Sequence, residues 1–315
     1  MGIDDYFRIE KPEEKSPTSP KSFDKVIESA LEVWMRYTES VLKNSFDFTS
    51  IYNDQLVAEA VKILAPHQDT FPKTFTVNQA VIDGVVNSIV PKTNLPRSFS
   101  YYEASEFIDT LRQACLYETC GLFFTQLLNL GMEKLHVPVN TRINNCGYKL
   151  SQGTLEFHGS NIGGLSALGE YAMGGTIINY SMDTCMGRYA TGGSFVNYGD
   201  IEYGYLKGDI LILNYNYLNF AITTNFVINH GIISHLNLDK GTCINFGTIT
   251  KYLSGHVIDP VRVWPRKKHI TKWHLLFNRK LTSLVEELYT ATKPGVALDM
   301  EKIQEQGEKI KVHCA

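Results

Sequence analysis

The chain has no apolar run suited to crossing a bilayer, no CxxC pair and no excess of positive charge. Its 315 residues carry 30 Lys plus Arg against 33 Asp plus Glu, a net charge of −3. That balance argues against a large electrostatic surface for nucleic acid. The most apolar stretch, 210–233, contains Asn214, Asn216, Asn219, Asn225 and Asn229. Five amides facing lipid would be costly, so no membrane span is expected. Six cysteines at irregular spacings read as reduced intracellular thiols rather than a disulfide frame. The first twenty residues are acidic and Pro-rich, without the apolar core of a secretory leader. Tyr6 stands where an acylation signal after Gly2 needs Ser or Thr, and Cys314 lies too near the end for prenylation. A cytoplasmic protein is expected.

Charge is also scarce in the middle of the chain, and glycine gathers there. Residues 141–260 hold 18 of the 24 glycines but only 14 charged side chains. The sequence therefore describes two materials, and the length allows a substantial core. Residues 1–21 are too polar and Pro-rich to pack and read as a disordered tail. A helical N-terminal region follows over 22–139. Ile27, Leu31, Trp34, Val41 and Leu42 mark one helix, roughly Ser22 to Lys43, and a second begins after Asn53 and stops at Pro66. Thr76 with Gln79 and Ser100 with Glu103 form capping boxes for two more. The last of these runs to about Asn129 and is apolar nearly all round, so deep burial is expected. Past residue 260, a C-terminal helical segment (261–315) carries Trp273, Phe277, Leu281, Leu284, Val285 and Leu288 at helical spacing. Pro294-Gly295 ends that helix, and Asp299 caps a last, polar one prone to fraying.

Between these flanks lies a repeat. Gly175-Thr-Ile-Ile-Asn-Tyr-Ser181, Gly193-Ser-Phe-Val-Asn-Tyr-Gly199, Leu213-Asn-Tyr-Asn216, Asn225-Phe-Val-Ile-Asn-His-Gly231 and Gly241-Thr-Cys-Ile-Asn-Phe-Gly247 fall into register, after a looser first copy at 153–159. The unit is a turn glycine, a short β-prone run, Asn, a flat side chain, then usually Gly. From Asn179 the Asn recurs at steps of 18, 17, 15 and 16. A unit this short cannot close a core alone, but stacked coils bury a continuous one. A right-handed parallel β-helix over 140–260 is therefore expected, with glycines at corners that need positive φ. Asn179, Asn197, Asn214, Asn229 and Asn245 would form an amide ladder. His158, Tyr180, Tyr198, Tyr215, His230 and Phe246 would stack on the opposite face. Both strand faces carry apolar residues, so the flanking helices are expected to cover Ile178, Val196 and Ile244.

Gly169-Glu-Tyr-Ala-Met-Gly-Gly-Thr-Ile-Ile-Asn and Gly187-Arg-Tyr-Ala-Thr-Gly-Gly-Ser-Phe-Val-Asn-Tyr-Gly199 resemble the GXGXG-type β-helix repeat. That repeat occurs in the C-terminal domain of the glutamate synthase large subunit and in one of the subunits of formylmethanofuran dehydrogenase. The resemblance covers about a third of the chain and weakens in later coils, where Lys207-Gly208 replaces Gly-Gly and Ser181 and Asn216 replace the closing glycine. It implies a scaffold that holds other parts together and has no cofactor of its own. It transfers no catalytic residue.

No catalytic, cofactor-binding or metal-ligating residue is assigned from the sequence. His230, His235 and Cys243 invite a metal reading, but the register puts His230 and Cys243 on opposite faces. Cys115 and Cys120 read as core. The carboxylates of the Gly-rich window (Glu156, Glu170, Asp183, Asp200, Glu202, Asp209, Asp239, Asp259) do not recur at equivalent coil positions, as a carbohydrate enzyme would need. Paired glycines read as corners, not phosphate loops. The expected function is a non-catalytic scaffold or protein-interaction protein with a protein partner or self-association. An enzyme with a cleft between helices and solenoid, using His67, His136 or His158, is the alternative. Nucleic-acid binding through 262–272, with Arg262, Arg266, Lys267 and Lys268, is weaker still.

Overall fold

In a computed structural model, the described residues are 21–44, 54–89, 108–159, 168–182, 184–222, 226–258 and 279–314. The tail 1–20, the Ser100/Glu103 cap, Trp273 and Phe277, and Arg262, Arg266, Lys267 and Lys268 lie outside them. Among the described residues there are four N-terminal helices: α1 Lys21–Asn44, α2 Asp54–Leu64, α3 Gln79–Ile89 and α4 Ile108–Asn129. The α-helical part of α2 ends at Leu64 and tightens into a 3-10 turn, Ala65–Thr70, whose first turn tolerates Pro66. The cap of α3 is Asn78, whose Oδ1 accepts from the Ala80 N–H at 3.0 Å. Thr76, expected in that role, belongs instead to a short strand.

That strand, β1 Thr74–Thr76, opens a ten-stranded sheet in which every paired ladder is parallel. It continues through β2 Lys134–Val137, β3 Thr154–Phe157, β4 Met173–Asn179, β5 Thr184–Asn197, β6 Asp200–Asn214, β7 Tyr217–Ile222, β8 Phe226–Asn229, β9 Ile232–Asn245 and β10 Thr248–Ile258. The first half of β6 pairs with β7 and the second half with β8, so β7 and β8 together supply one coil. The architecture is a β-solenoid of about six turns. Its sheet begins before residue 140, in two strands too short to carry a visible period.

Alternation along each strand separates two rows. Leu135, Leu155, Ile177, Phe195, Ile212, Val227 and Cys243 stack in register and face the lumen. They form one continuous core with the N-terminal helices, including Trp34, Leu64, Phe123, Phe124 and Leu128. The buried helix α4 packs against the first coils, beside β2 and β3. Its Cα at Gly121 lies so near the 144–146 backbone that an added Cβ would sit 2.1 Å from the Asn144 carbonyl oxygen. Thr125 Oγ1 accepts from the Gly147 N–H at 2.8 Å, and Asn129 bonds both Lys149 and Ser151. The N-terminal helices thus extend the lumen core; they do not lie on the outer strand face.

The outer row is Thr76, His136, Glu156, Ile178, Val196, Leu213, Ile228, Ile244 and Ile258. Two C-terminal helices, α5 Arg279–Thr292 and α6 Met300–Cys314, cover its later coils. Leu281, Val285, Leu288, Ile303 and Ile310 cluster with Val196, Leu213, Ile228 and Ile244. Val196 and Ile244 are fully buried, while Ile178, nearer the N-terminal end, is only partly so. Asp299 caps α6 through the Lys302 N–H at 3.1 Å, and the burial of Ile303 and Ile310 anchors this otherwise polar helix.

Candidate functional site

The Asn ladder runs along the lumen. Each Nδ2 donates to the Oδ1 of the next coil: Asn179 to Asn197 at 3.0 Å, Asn197 to Asn214 at 2.9 Å, Asn214 to Asn229 at 2.8 Å and Asn229 to Asn245 at 2.7 Å. Each amide also bonds the backbone two residues on, as in Asn214 Nδ2 to the Asn216 carbonyl at 3.0 Å. A buried amide is tolerated there because both ends are satisfied. The first rung has no upstream amide; in the preceding coil the position is Phe157. Asn179 Oδ1 instead accepts from the Ser181 hydroxyl at 3.0 Å and the Ser181 N–H at 3.1 Å. Serine at the closing position, which departs from the glycine pattern, starts the ladder.

On the outside the flat side chains stack. Ring centroids lie 4.2 Å apart for His158–Tyr180, 4.9 Å for Tyr180–Tyr198, 4.5 Å for Tyr198–Tyr215, 5.3 Å for Tyr215–His230 and 4.9 Å for His230–Phe246. Tyr289 of α5 packs on the last two rings, and Tyr215 Oη donates to the Thr292 carbonyl at 2.7 Å. Burial pushes Tyr180 up to about 12 and Tyr215 further in the same direction, so these phenols stay neutral. His230 Nε2 lies 2.9 Å from Thr292 Oγ1, whose own proton goes to the Leu288 carbonyl. The imidazole is therefore the donor, in its Nε2–H tautomer.

Burial lowers His230 to about 4, below the ordinary value of about 6.5. The unfolded chain takes up a proton through that window and the folded chain does not. This contribution to stability is whole above pH ~6.5 and is lost as pH falls towards ~4. Discounted for partial exposure, it is about 1–2 kcal/mol between pH 6.5 and 4.5. His230→Phe, copying Phe246 of the next coil, is expected to flatten the pH dependence of the urea midpoint over that range. An unchanged slope would exclude His230 as a source of it.

Where α5 and α6 do not reach, the outer row turns polar. His136 and Glu156 are direct partners on neighbouring strands, and His158 follows Glu156 by two residues on the same face. His158 Nε2 lies 2.9 Å and His136 Nδ1 3.6 Å from Glu156 Oε1, while Lys134 pairs with Oε2. The neighbouring His136, then His158, outweigh desolvation and hold the Glu156 carboxyl well below the usual carboxylate range. All three side chains are partly buried, at 29%, 17% and 21% exposure for His136, Glu156 and His158. Their nitrogen and oxygen atoms lie within 4.8 Å of one another, the one such group of His, Cys, Asp or Glu among the described residues. His67, His230, His235 and Cys243 are not part of it. From sequence, His158 reads as a stacking residue or, with His67 or His136, as a polar group of an enzyme cleft, and Glu156 as an isolated carboxylate. The visible signal is a Glu in a row that is Ile, Val or Leu in every later coil, with Lys134-x-His136 and Glu156-x-His158 sharing a strand period.

A second polar feature lies at one corner. Tyr148, Tyr171 and Tyr189 pack ring to ring, 5.8 and 5.1 Å apart, and Arg188 pairs with the buried Glu170 at 2.8 Å. Tyr171 and Tyr189 are 41% and 48% exposed and have φ of 56° and 60°. Cys115, Cys120 and Cys146 are buried, and burial raises all three thiols, which keeps them unreactive.

The fold and these rows define a β-solenoid that shares one core with the N-terminal helices and packs α5 and α6 against its outer row. Comparison of the chain with protein-family models, with curated proteins and with solved structures finds no match. No helix among the described residues is long and apolar enough to cross a membrane.

Proposed function

We propose that the chain is a non-catalytic scaffold or protein-interaction protein, built on a right-handed β-helix of the GXGXG type and working in the cytoplasm. The observation that carries this reading is the tyrosine corner. A left-handed backbone costs a tyrosine roughly 1–2 kcal/mol, and Gly or Asn would meet the turn at lower cost. Exposed Tyr171 and Tyr189 beside Arg188 have the composition of an interface anchor. The filled lumen makes the surface under them stiff, which lowers the entropy lost on association.

The test compares the intact chain with the Tyr171→Asn/Tyr189→Asn double variant, which suits the same backbone. Pull-down from native extract and sedimentation should give a stoichiometric partner or a self-associated form for the parent. The variant should lose it while matching or exceeding the parent's thermal stability. A parent that recovers no partner and sediments as a monomer overturns the proposal. The enzyme reading draws support from one observation, the convergence of His136 and His158 on Glu156. The nucleic-acid reading rests on Arg262, Arg266, Lys267 and Lys268, outside the described residues.

A further inference from the structure

We infer that His136, Glu156 and His158 form a binding site for a divalent transition-metal ion of the zinc class. Two imidazoles and a carboxylate are the donor set such ions take, and with three protein donors a fourth position stays open to water or an anion. In a tetrahedral shell with bonds of about 2.0–2.1 Å, neighbouring ligand atoms stand about 3.3 Å apart. The observed separations of 2.9 and 3.6 Å around Glu156 Oε1 bracket that edge, and the ligand atoms of all three residues lie within 4.8 Å of one another, so the donors must draw in by no more than about 1.5 Å on the remaining edge to admit an ion.

The donors are also held in place before any ion arrives. His136 and Glu156 sit in register on paired strands, and the His158 ring lies 4.2 Å from Tyr180 at an interplanar angle of 6°. Cross-strand pairing thus places His136 and Glu156 side by side on one face, and stacking holds the His158 ring, as a site built on rigid elements requires. Both imidazoles approach the same carboxylate oxygen, Oε1, whereas Lys134 takes Oε2. An ion at the centre of the three donors leaves the Lys134 pairing possible on the far oxygen, although the ammonium repels it. Lys134 is thus a competitor that tunes affinity. The row itself departs from pattern here: at the positions of His136 and Glu156 the later coils carry Ile178, Val196, Leu213, Ile228 and Ile244. In those later coils the row is closed by α5 and α6.

The experiment is calorimetric titration of the intact, chelator-treated chain with Zn²⁺ at neutral pH, repeated with Co²⁺ to read its visible d–d bands. One ion per chain is expected, with the intense cobalt bands of a low-coordinate site. His136→Ala and Glu156→Gln should each weaken binding by about 100-fold or more, since even outer-shell changes at metal sites cost about 10–100-fold. Lys134→Met should tighten it several-fold. Circular dichroism and thermal melts establish that each variant is folded, and Zn²⁺ should raise the melting temperature of the parent but not of Glu156→Gln. Absence of binding to the parent overturns the inference. So does one-to-one binding that survives in both His136→Ala and Glu156→Gln, because the ion then sits elsewhere. Neither result bears on the association measured through Tyr171 and Tyr189.

Discussion

Asn214→Asp is expected to destabilise the protein by about 4 kcal/mol or more at neutral pH, a large part of the roughly 5–15 kcal/mol that holds a domain folded. Asn214 is fully buried at the centre of the ladder. Its Nδ2 donates to Asn229 Oδ1 and to the Asn216 carbonyl, and its own Oδ1 accepts from Asn197. A carboxylate keeps the acceptor and loses the donor. It sets one anionic oxygen against Asn229 Oδ1 and buries a charge without a cation. Burial raises the new carboxyl's pKa in the folded state, so the folded form binds the proton more tightly. The deficit relative to the parent should therefore shrink as the pH is lowered from 7 to 5. Asn214→Leu, without a charge, should cost about 2–4 kcal/mol through the acceptors left unpaired. Urea denaturation at the two pH values measures all three. An Asp variant within 1 kcal/mol of the parent would mean that the ladder is not a stabilising element.

Gly199→Ala should cost about 3 kcal/mol or more, at the upper end of overpacking effects. A Cβ there would lie 1.8 Å from the Ser181 carbonyl oxygen and 2.8 Å from its carbon, both backbone atoms of the neighbouring coil. Coils stacked at the spacing of paired strands, about 4.8 Å, have no slack to give. Gly231 and Gly247 meet the preceding coil in the same way, at 2.1 Å from a carbonyl oxygen. Positive φ is not what these closing glycines supply; it matters at the other corner, as at Gly193 (φ 95°). The control is Gly84→Ala in the middle of α3, where nothing lies within 4 Å of the added methyl. That change should stabilise by about 0.5–1 kcal/mol through backbone entropy. Chemical denaturation of the two variants side by side checks both signs, and equal midpoints would refute the close-approach argument.

The repeat was legible because an amide ladder demands the same residue in every coil. Asn179 through Asn245 and the flat side chains after them could be aligned from sequence alone, and the covering of Val196 and Ile244 followed from strand alternation. β1 and β2 were not legible. Three and four residues among helices carry no period, and their pairing is set by the chain returning across α3 and α4. The same gap hid the His136, Glu156 and His158 group. It depends on the register of β2 against β3, and the segment 138–152 between them has no repeat from which to count. The role of the N-terminal helices was likewise closed to sequence, because an apolar stripe says that a helix is buried but not against which surface. Serine at 181 looked like decay of the motif; only its bond to Asn179 shows it as the start of the ladder.

The clasp formed by α5 and α6 has a consequence for biosynthesis. The outer apolar row from Val196 to Ile258 is translated before the helices at 279–314 that cover it. The N-terminal helices, which share the lumen core, are made first. At roughly 5–20 residues per second, a growing chain spends several seconds with its coils made and a flat, β-prone apolar stripe uncovered. Such a stripe invites edge-to-face aggregation or chaperone capture. A nascent chain stalled or truncated near residue 260 is therefore the most hazardous form of this protein, with its interior complete and its outer face unsealed.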